Sequence, residues 1–276
     1  MPGKLFLVAT PIGNLGDISQ RAAQTLETVD FIAAEDTRVS VKILNNLGIK
    51  KPMVSYHEHN RAASGQRILQ HLISGETCAL VTDAGTPVIS DPGSDLVSLC
   101  AEAGVEVTSI PGPCAAISGL ILSGLPSGRF TFEGFLSTTK KNRLQHLDEL
   151  KKEKRTMIFY EAPHKLIPTL RDMLSAWGDR RISLCRELTK LHEEVSRTTL
   201  ARACEYYENN APRGEYVLVI EGAPEEVDEG VSLDAALEKV IELRDGGMKL
   251  RDAVKFVSSE TGIPKNQLYD AAVKAE

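Results

Sequence analysis

No run in these 276 residues approaches the roughly 20 consecutive apolar residues that a bilayer-crossing helix needs, so no membrane-spanning segment is expected. Zinc and disulfide frameworks are not expected either. The five cysteines (Cys78, Cys100, Cys114, Cys185 and Cys204) are odd in number, and no two have C-x-x-C spacing. Most sit in apolar runs, as small core residues do, and a reducing cytoplasm is the expected setting. A secretory leader is not expected, because the apolar residues of the first strand-like run stop at Pro11 and Gly13. There is no G-x-G-x-x-G after that run, which leaves a standard dinucleotide site without support. Positive charge is not in excess. The formal net charge of -6 argues weakly against nucleic-acid binding, but an average hides local patches. Residues 140–155 form one, with Lys140, Lys141 and Arg143 at its start. As a charge run alone it reads as the solvated face of a helix.

What is present is an ordinary globular composition, 42% hydrophobic and 25% charged, in a chain long enough for two domains and an appendage. Five short apolar runs, at 5–9, 31–34, 53–56, 78–81 and 105–110, alternate with helical patterns at 21–28, 39–47, 62–73 and 95–103. That alternation predicts an α/β unit with a mostly parallel sheet, whose ligands bind at the carboxyl ends of the strands. A second α/β block is expected over 130–222, with strands at 130–135, 156–160, 182–185 and 216–220, and residues 115–122 as the hinge. The domains are thus expected at 1–114, 115–222 and 231–276. An acidic linker at 223–230 would lead to three short helices in a helix-turn-helix-like tail. These helices would pack through Leu237, Val240, Ile241, Val254, Val257 and Leu268, with Lys265 at the start of the last.

The unusual clusters follow strands. D-A-G-T-P-V-I-S-D-P-G at 83–93 has two Gly, two Pro and two Asp, more than a structural turn needs, and reads as a ligand loop. P-G-P-C-A at 111–115 would let a ligand lie against main chain, or act as a rigid hinge. E-D-T-R at 35–38 supplies acid and base at a strand end. A helix cap with a surface ion pair would by itself account for Asp36. His57 and His59 lack a third metal ligand nearby and read as cleft hydrogen-bonding residues. Trp177 lies at helical spacing with Leu170, Met173 and Leu174 and reads as core.

In their order along the chain, T-P-I-G-N-L, A-A-E-D-T-R, H-E-H-N, D-A-G-T-P-V-I-S-D-P-G, P-G-P-C-A, Y-E-A-P-H, R-E-L-T-K and R-G-E-Y-V resemble one family. The chain is similar to the tetrapyrrole-methylase superfamily, the class III S-adenosylmethionine-dependent methyltransferases. Within it, the chain resembles the ribosomal RNA small subunit methyltransferase I family. The resemblance implies two α/β domains with S-adenosylmethionine in the cleft between them, and methylation of a cytidine 2′-hydroxyl in small-subunit rRNA. It implies a homodimer that acts on rRNA or the 30S particle rather than on DNA or a membrane. Carried over, the cofactor residues are Pro11, Asp83, Ala84, Gly85, Pro87, Ile89, Cys114, Ala115, Tyr160, Leu188 and Val217. Glu35, Asp36, Arg38, His59 and Glu161 are the candidates for the chemistry, with no metal. Lys140, Lys141, Arg143, Lys165, Arg186, Lys190 and Lys265 are the candidates for RNA phosphate. Two other readings remain open at this point: a methyltransferase of a small molecule such as a porphyrinoid, and a non-enzymatic ribosome-assembly factor.

Overall fold

A computed structural model describes residues 2–224 and 231–275. Residues 225–230 of the expected acidic linker lie outside the described residues. Contacts between Cα atoms divide the chain into two compact units, Met1–Ala223 and Pro224–Glu276.

The first unit holds two five-stranded sheets. The first is built from β1 (Lys4–Val8), β2 (Phe31–Ala34), β3 (Met53–Ser55), β4 (Cys78–Val81) and β5 (Glu106–Ile110), in the order β3-β2-β4-β1-β5. Every pairing in it is parallel, as the alternating sequence predicts. Its connections are α1 (Gln20–Thr28), α2 (Thr37–Asn46), α3 (Arg61–Ile73) and α4 (Ser94–Glu102). Burial on both faces explains the unbroken apolar runs of β2 and β4, in which all four residues are buried. In that strand order the chain leaves β1 toward one edge and β4 toward the other. The crevice at such a reversal is where open α/β sheets bind ligands. Here Thr10 and Gly85 pair across it, with N–H to carbonyl distances of 2.8 and 3.1 Å.

Residues 115–122, expected as a hinge, instead lie in a regular helix, α5 (Ala115–Ser123). A run of small and apolar residues after Pro113 propagates a helix readily, and α5 packs its Gly119 against Val217. A Cβ on Gly119 would stand 2.7 Å from Val217 Cγ1, so the glycine sets how closely this helix meets the second sheet.

The second sheet contains β6 (Phe130–Phe135), β7 (Thr156–Glu161), β8 (Arg181–Arg186), β9 (Glu194–Thr199) and β10 (Tyr216–Ile220), in the order β6-β7-β10-β8-β9. Its helices are α6 (Lys140–Glu149), α7 (Pro163–Trp177) and α8 (Leu200–Asn209). Only β6 and β7 pair in parallel; the other three pairings are antiparallel. β9 is absent from the sequence reading. Its E-V-S-R-T-T has no apolar run, because it is an edge strand with no fully buried residue. Trp177 is core, as expected, and its indole N–H donates to Leu147 O at 2.8 Å.

The second unit contains α9 (Leu233–Asp245), α10 (Leu250–Thr261) and α11 (Lys265–Lys274). Ala236, Val240, Ala253, Val254, Val257, Leu268 and Ala272 form its own core, with Leu237 packed at its margin.

Candidate functional site

A cleft of about 310 Å3 opens at the carboxyl ends of the first sheet's strands and is closed on its other side by β7, β8 and β10. One wall is the loop after β4. Val88 and Ser90 there hold φ of 76° and 64°, and Gly85 holds 88°. A β-branched residue at positive φ costs on the order of 1–3 kcal/mol, and such strain collects where a loop shape is needed for function. Thr86 ties this loop to the next one by donating to Pro113 O at 3.0 Å. The facing connection from β8 to β9 is bent in the same way, with Glu187 at 52° and Thr189 at 66°.

Nine of the eleven expected cofactor residues line this one cleft: Asp83, Ala84, Gly85, Ile89, Cys114, Ala115, Tyr160, Leu188 and Val217. Pro11 and Pro87 are buried and do not line it. Ala116 N–H donates to Tyr160 Oη at 3.0 Å, and burial raises the phenol's pKa, so Tyr160 is a neutral, fixed wall.

Of the residues expected to carry chemistry, Glu35 and Glu161 line the cleft. Burial raises the Glu35 pKa, and the neighbouring Asp83 and Asp36 charges add to this. Glu161 is engaged on both oxygens. Its Oε1 accepts from Ala162 N–H at 2.9 Å and lies 3.2 Å from Lys165 Nζ, and its Oε2 accepts from Thr169 Oγ1 at 2.6 Å. That arrangement holds the start of α7. Asp36 caps α2 by accepting from Arg38 N–H at 2.8 Å. Its bonds from the Arg38 guanidinium hold its carboxyl down at about 2. Asp36 and Arg38 therefore do what a helix cap and surface ion pair do, and neither lines the cleft. His59 is exposed, 6.0 Å from the His57 ring and also outside the lining. Among the described residues no three His, Cys, Asp or Glu side chains converge as metal ligands.

The cationic candidates divide. Lys140 and Lys141 are exposed at the start of α6, and Lys265 is exposed at the start of α11. Lys190 lines the cleft, 3.0 Å from Glu187 and 3.3 Å from Glu215. Arg186 pairs with Glu194 at 2.7 Å. Arg143 departs from expectation. It is buried, bonded to Asp172 at 2.8 Å and to the carbonyls of Ser137 and Thr138, so its donors are used inside the protein.

Sequence reasoning passed over Ile12, Asp91, Phe135 and Glu215, all of which line the cleft. Asp91 lies inside the ligand-loop motif itself. Burial pushes its carboxyl up to about 7, with the Glu35 and Asp83 charges adding to the shift. Glu35, Asp83 and Asp91 thus give the cleft an acidic margin, and Cys114, Leu188 and Val217 give it apolar surface.

Comparison with known proteins agrees with this architecture. Residues 4–204 match the tetrapyrrole (corrin/porphyrin) methylases, and residues 231–276 match the RsmI C-terminal HTH domain. The crystal structure of uroporphyrin III C-methyl transferase from Thermus thermophilus superposes with a TM-score of 0.57 at 16% identity, covering 79% of this chain and 97% of that one. Diphthine synthase superposes with a TM-score of 0.61 at 15% identity, over 80% and 90% of the two chains. These two share the fold. Ribosomal RNA small subunit methyltransferase I of Synechocystis sp. is 48% identical over 99% of both chains. The protein of that name in Bacillus subtilis is 45% identical over 98% of this chain and 94% of its own. The chain belongs to the tetrapyrrole methylase family and, within it, to the ribosomal RNA small subunit methyltransferase I family.

Proposed function

We propose that this protein transfers a methyl group from S-adenosylmethionine to the 2′-hydroxyl of a cytidine in small-subunit ribosomal RNA. The observation that carries the reading is the end-to-end similarity to relatives of that name, tail included, at 40–48% identity. The cleft suits the cofactor. Its wall of Cys114, Leu188 and Val217 fits an adenine ring, and its carboxylates fit a cationic sulfonium and ammonium. Gly85, at φ 88°, takes the backbone conformation that favours glycine, and its pairing with Thr10 holds the loop in place at the cleft wall. Bound there, S-adenosylmethionine supplies a methyl group already activated by its sulfonium.

The chain's own residues then position, deprotonate and hold. Residues 83–89 and the apolar wall fix the cofactor, and alignment of the attacking oxygen supplies much of the rate. A ribose hydroxyl is a weak nucleophile, so a proton acceptor matters. Asp91 is our candidate, because it lines the cleft beside the cofactor loop and its pKa of about 7 suits proton transfer near neutrality. Lys140, Lys141 and Lys265 hold RNA phosphate. We further read residues 1–114 and 115–222 as the two catalytic domains, 231–276 as an RNA-recognition unit, the working form as a cytoplasmic homodimer and the substrate as the 30S particle. Incubation with methyl-labelled cofactor tests the reading. Label should appear as a 2′-O-methylcytidine in the RNA of small subunits. Label in a porphyrinoid offered alongside, and none in the RNA, would overturn it.

A further inference from the structure

We propose that Phe135 is the platform on which the target base of the RNA stacks at the cleft. This rests on the reading of the cleft as an RNA methylation site. β6 is an edge strand, and its register against β7 slips between Phe132 and Gly134. Such a bulge re-aims the side chains that follow it. Gly134 sits at φ 63°, and a Cβ on it would stand 3.0 Å from Ser90 Oγ, so the bulge lies against the strained loop of the opposite wall. The next residue, Phe135, lines the cleft with 53% of its surface exposed, whereas Phe159 on the adjacent strand is 1% exposed.

Burying a phenyl side chain is worth about 1.5–3 kcal/mol, so a ring left half open forgoes part of that unless a ligand covers it. The ring is supported and so has little freedom to fold away. Its centroid lies 5.5 Å from that of Tyr160 at 60°, and Tyr160 is itself anchored by the Ala116 N–H. Lys165 Nζ stands 5.5 Å from the Phe135 centroid. The chain then runs from Phe135 directly to the exposed Lys140 and Lys141. Lys165 is paired with Glu161 and so braces the ring from one side; the exposed part of the ring, followed in the chain by the exposed Lys140 and Lys141, is what an unstacked base and its neighbouring phosphates require. The cofactor's adenine is the competing occupant. Leu188 and Val217, the apolar wall, belong to the middle of the sheet and the connection beside it, away from the β6 edge.

The experiment uses the full chain with small ribosomal subunits. It compares Phe135→Ala, Phe135→Leu and Phe135→Trp for cofactor affinity by calorimetry, melting temperature, and kcat and KM for the RNA. The Ala and Leu variants should keep cofactor affinity and melting temperature while kcat/KM for the RNA falls about ten- to hundredfold; the Trp variant should stay near wild type. A Leu variant as active as wild type would show that only apolar bulk is used. Lost cofactor affinity in the Ala variant would assign the ring to the cofactor. Either result overturns the proposal. Wild-type protein that labels no RNA would overturn the methyltransferase reading itself, and this inference with it.

Discussion

Gly13, in the turn after β1, lies against Lys190 in the β8–β9 connection. A Cβ on Gly13 would stand 2.4 Å from Lys190 Cγ and 3.0 Å from Leu188 O. The first turn of one sheet thus meets the strained connection of the other at the cleft, where Leu188 and Lys190 both line the wall. Gly13→Val should force that wall outward, at about 1–3 kcal/mol of stability, and weaken cofactor binding. Gly128→Ala, where a Cβ meets nothing within 4 Å, should do neither. Calorimetric titration with S-adenosylmethionine of both variants checks this.

Asp91 fixes a pH dependence. Its carboxyl is pushed up to about 7 by burial and by the facing Glu35 and Asp83, so its proton-accepting form grows in above that pH. Single-turnover transfer should rise with pH through about 7 and then level off. Asp91→Asn should lower it by about 10²–10⁴-fold. Glu35→Gln removes a neighbouring negative charge and should move the rise to lower pH. Stability runs the other way. The folded chain holds this proton where the unfolded chain has lost it, so wild-type stability falls as pH rises from about 4 to about 7. Asp91→Asn should therefore melt higher than wild type at pH 8, an outcome that thermal scans at two pH values will test.

The basic segment should separate into two behaviours. Arg143 is buried and pairs with the half-buried Asp172, and removing it leaves that carboxylate and two carbonyls without their donors, at about 1–3 kcal/mol. Arg143→Ala should lose melting temperature. Lys140→Ala and Lys141→Ala should leave stability alone and flatten the salt dependence of RNA binding by about one unit of slope per lost phosphate contact. An unchanged slope would make these lysines no more than a solvated helix end.

The legible part of this molecule is what repeats or clusters in the sequence. Alternation with 3.6-residue periodicity disclosed the five parallel strands of the first sheet, most plainly β2 and β4, because strands buried on both faces cannot avoid apolar runs. The loops at 83–89 and 111–115 were legible through Gly and Pro density, and they line the cleft. What stayed hidden depends on contacts between distant residues. The polar run of β9, Glu194–Thr199, is not the signature of a buried strand, and the strand exists because β8 offers it an edge. Arg143 reads as one cation of a basic run until Asp172, 29 residues away, is seen beside it. Phe135 reads as another apolar residue of its strand until the bulge at Gly134 is placed. Asp91 carries no mark of its raised pKa, which comes from its burial and the company of Glu35 and Asp83.

The tail gives the last prediction. Its core of Val240, Val254, Val257 and Leu268 is internal to α9, α10 and α11, so the unit satisfies its own apolar faces. It nonetheless leaves Phe256 and Tyr269 exposed at 46% and 42%, and Lys255 and Lys265 lie with Phe256 around one shallow depression. Aromatic rings set among lysines suit stacking on bases and contact with phosphates. A truncation should end after Pro224 rather than earlier, because Ala223 N–H donates to Glu153 O at 2.5 Å and belongs to the first unit. The shortened protein should keep its melting temperature and its affinity for S-adenosylmethionine. Its methylation of small subunits should fall, since the loss of even one stacked base costs about 1–3 kcal/mol. Phe256→Ala with Lys265→Ala in the full chain should reproduce most of that fall. If truncation instead abolishes cofactor binding or solubility while RNA affinity persists, the tail is a structural cap and its exposed rings have another purpose.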